Sequence, residues 1–355
     1  MSVASPSQSV YLSPQSKIGW IRNTPFDLTL IVAVAVIALA SGAVSLAEPQ
    51  LFKWILLADI WLLGYHHVVS TYTRIAFDKK SFSDHRFLVI QLPMIVLVTT
   101  VALVLTLGFW VLPTIYLYWQ WFHYTRQSYG IERIYRRKAG DGVLIHDRVV
   151  KWALYLLPLA GILYRSAQKQ ETFLGMEVVY LPVHTYVVVA VAMLALAALV
   201  YWMVYLIIAA WRGRLAVAHT LYLLSHHLIF LTGYILIDDI TTGWLVLNVW
   251  HNAQYIMIVW LYNNNRFKEG IDKEHHFLST ISQTKNMLIY YGICIAISTS
   301  LYFVLHTADY KDAQGTIVPV TLVALMVINF HHYIVDGIIW KVRKKSLREK
   351  LGINN

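Results

Sequence analysis

Apolar residues in this chain come in long continuous runs, broken by short basic segments. Counting runs of about 18 to 25 residues, the length that crosses a bilayer as a helix, predicts about ten helices. They fall near 26–46, 52–74, 87–109, 111–132, 150–165, 181–210, 216–237, 241–262, 286–306 and 317–340. The fifth run is short and the sixth is long. Only helices or closed barrels satisfy backbone hydrogen bonds in hydrocarbon, and runs this long read as helices. The expectation is an all-α, polytopic integral membrane protein. A small-residue stretch, Ser45-Leu46-Ala47, follows the first run like a cleavage site. The long polar leader before that run favours an uncleaved first helix.

Charge placement orients the helices. With the N-terminus in the cytoplasm, 25 of the 29 basic residues lie at cytoplasmic helix ends or beyond them, and only Lys53, Arg165, Lys169 and Lys311 lie outside. Lys/Arg concentrate on the cytoplasmic side of membrane proteins, and moving the register by one helix would destroy the asymmetry. Both termini are therefore expected in the cytoplasm, and a bacterial inner membrane is the expected location. Three segments follow: a cytoplasmic tail over 1–25, a single transmembrane domain over 26–340, and a basic cytoplasmic tail over 341–355.

Composition agrees. The chain has 355 residues, of which 58% are hydrophobic and 14% charged, too little charge to cover a soluble protein of this size. The net charge of +10 reports topology and contact with anionic lipid headgroups. The basic residues are scattered over juxtamembrane loops, so no nucleic-acid partner is expected. A single cysteine, Cys294, excludes a disulfide framework and a cysteine metal motif.

Histidine supplies the candidate chemistry. The doublets His66-His67, His226-His227 and His331-His332, with His123 and His251, all fall inside the apolar runs. His67 precedes Arg74 by seven positions, His123 precedes Arg133 by ten and His332 precedes Lys341 by nine. His226 and His227 lie twelve and thirteen positions beyond Arg214, and His251 lies fifteen before Arg266. At about 1.5 Å per residue, five helices carry imidazole between mid-membrane and the cytoplasmic face. Polar groups there are costly and face a cavity, a partner or each other. A metal site is the expected meeting point. Adjacent helical residues point about 100° apart, so one member of each doublet is expected to face a common centre. Asp336, four residues after His332, and Asp59, seven before His66, are candidates to join or orient the ligands. Tyr255, four after His251, could donate a proton or an electron. Arg126 is a candidate for an acidic substrate head, and Arg74 is expected to snorkel to the headgroups.

Imidazole with few carboxylates suits iron, copper or zinc. Nitrogen-rich ligands on the cytoplasmic side of a helical membrane protein resemble the integral-membrane desaturase and alkane hydroxylase class. The doublets here lack the upstream partner of that class's His-x3-His and His-x2-His-His boxes. Ten spans with intrahelical histidines also resemble the bacterial carotene-cleaving membrane dioxygenases of the Brp/Blh type. Either resemblance implies non-haem iron, mononuclear or dinuclear, and dioxygen. It also implies a hydrophobic substrate (a lipid, polyene or quinone-like molecule) arriving from the bilayer. No soluble reductase domain is evident, so any electron donor is expected to be a separate partner. The alternative is a haem or haem–copper redox protein, since His251-x3-Tyr255 beside histidine doublets resembles the copper ligands of haem–copper oxidases. There the departures are Asn252 and Ala253, where that family has other residues. A third reading is a transporter with a histidine–aspartate relay or a metal in transit.

Overall fold

The structure, a computed structural model, describes residues 18–140, 145–306, 310–311, 317–318 and 320–353. Residues 1–17 of the expected N-terminal tail, the last two of the C-terminal tail, and the side chains of His306 and Lys311 lie outside the described set. Ten long helices are present among the described residues. They are α1 (Thr24–Ala47), α2 (52–75), α3 (Phe87–Leu107), α4 (Val111–Ala139), α5 (Asp147–Gln168), α6 (Thr185–Trp211), α7 (217–236), α8 (Ile240–Arg266), α9 (Thr284–Leu305) and α10 (Val320–Ile339). Two small two-stranded hairpins and short helical turns complete the fold.

Local chemistry sets the helix ends. Asn23 caps α1 by accepting from the Phe26 amide, with Pro25 in the first turn, and Asp239 caps α8 through the Thr242 amide. Asp27 is fully buried. Its carboxylate accepts from the backbone amides of Ile21, Arg22 and Asn23 and from the Tyr135 hydroxyl. Gly108, at φ 93°, ends α3 in a conformation that L side chains rarely adopt. At the end of α7, buried Arg165 donates to the carbonyls of Gly233, Ile237 and Asp238, which have no helical partner of their own.

Five helices, α1, α3, α6, α9 and α10, are long and apolar enough to cross a membrane. They leave large apolar side chains on the outside, including Leu105 at 81% exposure, Tyr186 at 80% and Leu288 at 79%. Lipid, not water, is the solvent that suits such a surface. The other five long helices carry more polar residues. Of these α8 is the most enclosed, buried over most of its length and packed on α1, α2, α4 and α7. Helices α2, α8, α4 and α10 form a closed circuit, each packed on the next. That circuit positions the site.

Candidate metal centre

One histidine from each helix of the circuit points inward. His67 of α2, His123 of α4, His251 of α8 and His332 of α10 each offer a ring nitrogen, and these four atoms lie within 4.8 Å of one another. All four rings are buried. Their centroids are 4.4 Å apart for His67–His332, 5.0 Å for His332–His123, 4.9 Å for His123–His251 and 5.3 Å for His251–His67. Two imidazole nitrogens bound to one ion at about 2.1 Å lie about 3 to 4 Å apart, so the observed set is close to a coordination sphere.

Hydrogen bonding shows which nitrogens face the centre. His67 Nδ1 lies 2.8 Å from the Gly64 carbonyl, which can only accept, so Nδ1 carries the proton and Nε2 a lone pair. Tyr255 donates its one hydroxyl proton to Asp336 at 2.6 Å. Thr71, 2.8 Å from Tyr255, must then donate to it, and so accepts from His332 Nδ1 at 3.0 Å. His332 Nε2 is left with its lone pair, 2.8 Å from His67 Nε2. Two lone pairs facing at that distance repel, and a cation between them removes the conflict. His123 Nε2 and both ring nitrogens of His251 are buried without a hydrogen-bond partner. Unsatisfied buried polar atoms are costly and rare, and those of His123 and His251, beside the facing Nε2 lone pairs of His67 and His332, fit a metal ion.

The surroundings hold the rings. Tyr333 stacks on His123 at 4.4 Å, and Tyr124 lies 4.1 Å from His251. Gln127 donates to the His251 carbonyl. The Asp336 Oδ2 atom lies 3.4 Å from His332 Nε2 and 3.8 Å from His123 Nε2, beside the centre on the side of α10. Trp340 donates to Tyr255, which completes a chain from His332 through Thr71 and Tyr255 to Asp336. Carboxylates and hydroxyls behind ligating histidines fix ring orientation and raise metal affinity.

The remaining candidate residues are elsewhere. His226 is satisfied by Ser128 and the Leu154 carbonyl, and His331 by Tyr72 and the Leu88 carbonyl. His227 packs edge-on against Trp202 and His66 against Tyr291. Asp59 accepts from Asn248, which in turn accepts from Tyr124, so it reaches His251 only through two intervening side chains. Arg74 does not snorkel. It is buried, stacks over Trp340 at 3.9 Å and donates to the Ile339 carbonyl, because the aromatic residues near the α10 end enclose it. Arg126 is exposed, and its guanidinium lies over Gly337.

Thr71, Tyr333 and Tyr124 at the centre, and the buried pair Glu132–His219 at 2.8 Å, escaped the sequence reading. Thr71 stands four residues after His67 and was within reach of the same helical-face argument. Tyr333 and Tyr124 adjoin histidines in sequence, but adjacency does not predict stacking.

Two cavities meet at the centre. One is bordered by Trp119, His123, Arg126, Tyr255 and Asp336. The other is bordered by Tyr65, His67, His251 and Tyr302. Tyr333 lines both. Compared with known protein families, with curated proteins and with solved structures, the chain gives no match. The fold and site define a helical protein with membrane-type helices and a buried four-histidine group able to bind a metal ion.

Proposed function

We propose that the protein is a membrane-embedded non-haem metal oxidoreductase, with one iron ion held by His67, His123, His251 and His332. The observation that carries this reading is the convergence of four buried imidazoles, each offering a ring nitrogen within 4.8 Å of the others. Among the described residues no second group of three or more such ligands converges, which favours one ion over two. A haem would need the space around its axial ligands for a macrocycle, and here four rings within about 5 Å of their neighbours fill it.

Iron bound there supplies dioxygen activation. The chain's own residues do the rest. The apolar and aromatic walls of the two cavities take a hydrophobic substrate, such as a lipid, polyene or quinone-like molecule, and exclude water. Tyr255, held between Thr71 and Asp336, presents a hydroxyl beside the ligands as a proton or hydrogen donor. Arg126 at the edge of the first cavity is placed to bind an acidic head. The proposed setting is a bacterial inner membrane, crossed ten times, with both termini inside.

The test is elemental analysis of the purified protein with its visible spectrum. One iron per chain without a Soret band supports the proposal. A Soret band would replace it with the haem reading, and copper or zinc at full occupancy would replace the iron. No metal after expression with ample iron, copper and zinc would leave the histidines as a relay and favour transport.

A further inference from the structure

A third cavity, an open groove, lies on the far side of α2 from the centre. Its walls come from α1, α2, α8 and α9, and two of these, α1 and α9, are candidate membrane spans. Exposed Thr29 and Leu62 stand at its rim, and buried Ile256 and Trp260 form its floor. It is apolar except at a few atoms. Arg22 at one end is already engaged: it bonds to Asn264 and Thr284 and lies 4.7 Å over the Trp260 ring. Two buried polar atoms on the walls meet no partner, His66 Nε2 and Trp260 Nε1.

His66 is 3% exposed, and its Nε2 meets no hydrogen-bond partner. In the tautomer with its proton on Nδ1, the free Nε2 presents a lone pair and suits a ligand that donates, a hydroxyl. Trp260 Nε1 calls for an acceptor. The ring of Tyr291 meets His66 edge-on at 5.6 Å, and Phe26 lies 6.0 Å from Trp260, so the walls suit a flat ring. His66 is also the chain neighbour of His67, a ligand of the metal centre.

We infer that this groove binds a membrane quinol, with one ring hydroxyl donating to His66 Nε2 and the apolar tail running out toward lipid. The inference rests on the metal-centre reading and deepens it, because it names the electron donor. A dioxygenase retains both oxygen atoms in its product and needs no reductant. A quinol site therefore suits a reaction that takes two electrons from outside the substrate, such as hydroxylation, RH + O₂ + QH₂ → ROH + H₂O + Q. The O–O bond breaks, one oxygen enters the new C–O–H group, and the other leaves as water. The quinol loses two electrons and two hydrogens and becomes the quinone.

The experiment uses the full chain in lipid nanodiscs with decylubiquinol under anaerobic conditions, read by tryptophan quenching and calorimetry. Metal per protein is measured on the same samples. Saturable binding is expected, tighter for the quinol than for decylubiquinone, which has no hydroxyl. His66→Ala is expected to weaken quinol binding about tenfold, the worth of one buried hydrogen bond. Ile295→Trp, which fills the groove from α9 away from every ligand helix, is expected to abolish it. Leu105→Trp on the outer face of α3 serves as control. Absence of saturable binding, or undiminished binding in both His66→Ala and Ile295→Trp, overturns the inference. Equal His66-dependent binding of hexadecanol would also overturn it, in favour of a hydroxyl lipid. Binding that behaves as expected in a protein without metal would sink the metal centre and the donor role while leaving the groove as a quinol site.

Discussion

At the scale of single residues, the centre depends on nitrogens whose protons are placed by neighbours. Replacing His67, His123, His251 or His332 by Ala is expected to cut bound metal below about a tenth, since structural metal sites lose affinity steeply with each ligand. His226→Ala and His331→Ala, whose rings are satisfied by Ser128, Tyr72 and backbone carbonyls, are expected to leave it near the parent value. Metal analysis of the six variants checks this, and equal content across both sets would refute the ligand assignment. Thr71 reports on the supporting chain. Thr71→Val removes the acceptor for His332 Nδ1 and is expected to weaken metal binding about 10- to 100-fold, while Thr71→Ser restores it. A competitive chelator titration separates the two.

Helix contacts and loops carry their own consequences. Helices α7 and α8 cross at Gly233 and Gly243, where a Cβ on Gly243 would collide with the Gly233 carbonyl oxygen. Gly243→Ala is expected to cost about 1–3 kcal/mol through forced separation. Gly292→Ala, with nothing within 4 Å of its added carbon, is expected to cost little, and thermal unfolding in detergent compares the pair. Between α2 and α3, burial tends to raise the Asp78 carboxyl. Hydrogen bonds from Arg266 and Ser81 outweigh this and hold it at about 2. That contribution to stability is complete above about pH 4, where an unfolded aspartate is ionised, and is lost as pH falls toward 2. The gap in unfolding temperature between the parent and Asp78→Asn is therefore expected to be wide at pH 6 and to close between pH 4 and pH 2. A gap that stays constant over that range would remove the ion pair from the account.

Across the whole molecule, the testable claim is orientation. In a Cys294→Ser background, Glu171→Cys between α5 and α6 is expected to react with a membrane-impermeant maleimide in intact cells. Lys344→Cys after α10 is expected to react only once the membrane is opened. The reverse pattern would invert the topology, and labelling of both in intact cells would break the ten-span assignment. Helix positions were legible because hydrophobic length is a local property. The 52–74 run became helix 52–75, and the 216–237 run became 217–236. Helices α4 and α8 extend past their apolar runs, to Ala139 and Arg266, because backbone hydrogen bonding continues into polar sequence once a helix is nucleated.

The sequence by itself determined where the long helices lie, that five of them carry histidine within their apolar runs, and that Asp336 accompanies His332 on one face. These follow from run length, rise per residue and the 3.6-residue period, all of which act within one segment. Only the tertiary structure decided which histidines meet. Depth leaves the rotation of each helix and the choice of its neighbours open. Packing α2, α8, α4 and α10 into a circuit brought His67, His251, His123 and His332 together, and turned His66 and His331 to other partners. His226 and His227 lie on α7, which is not one of those four helices, and they face Ser128, Leu154 and Trp202 instead of the centre.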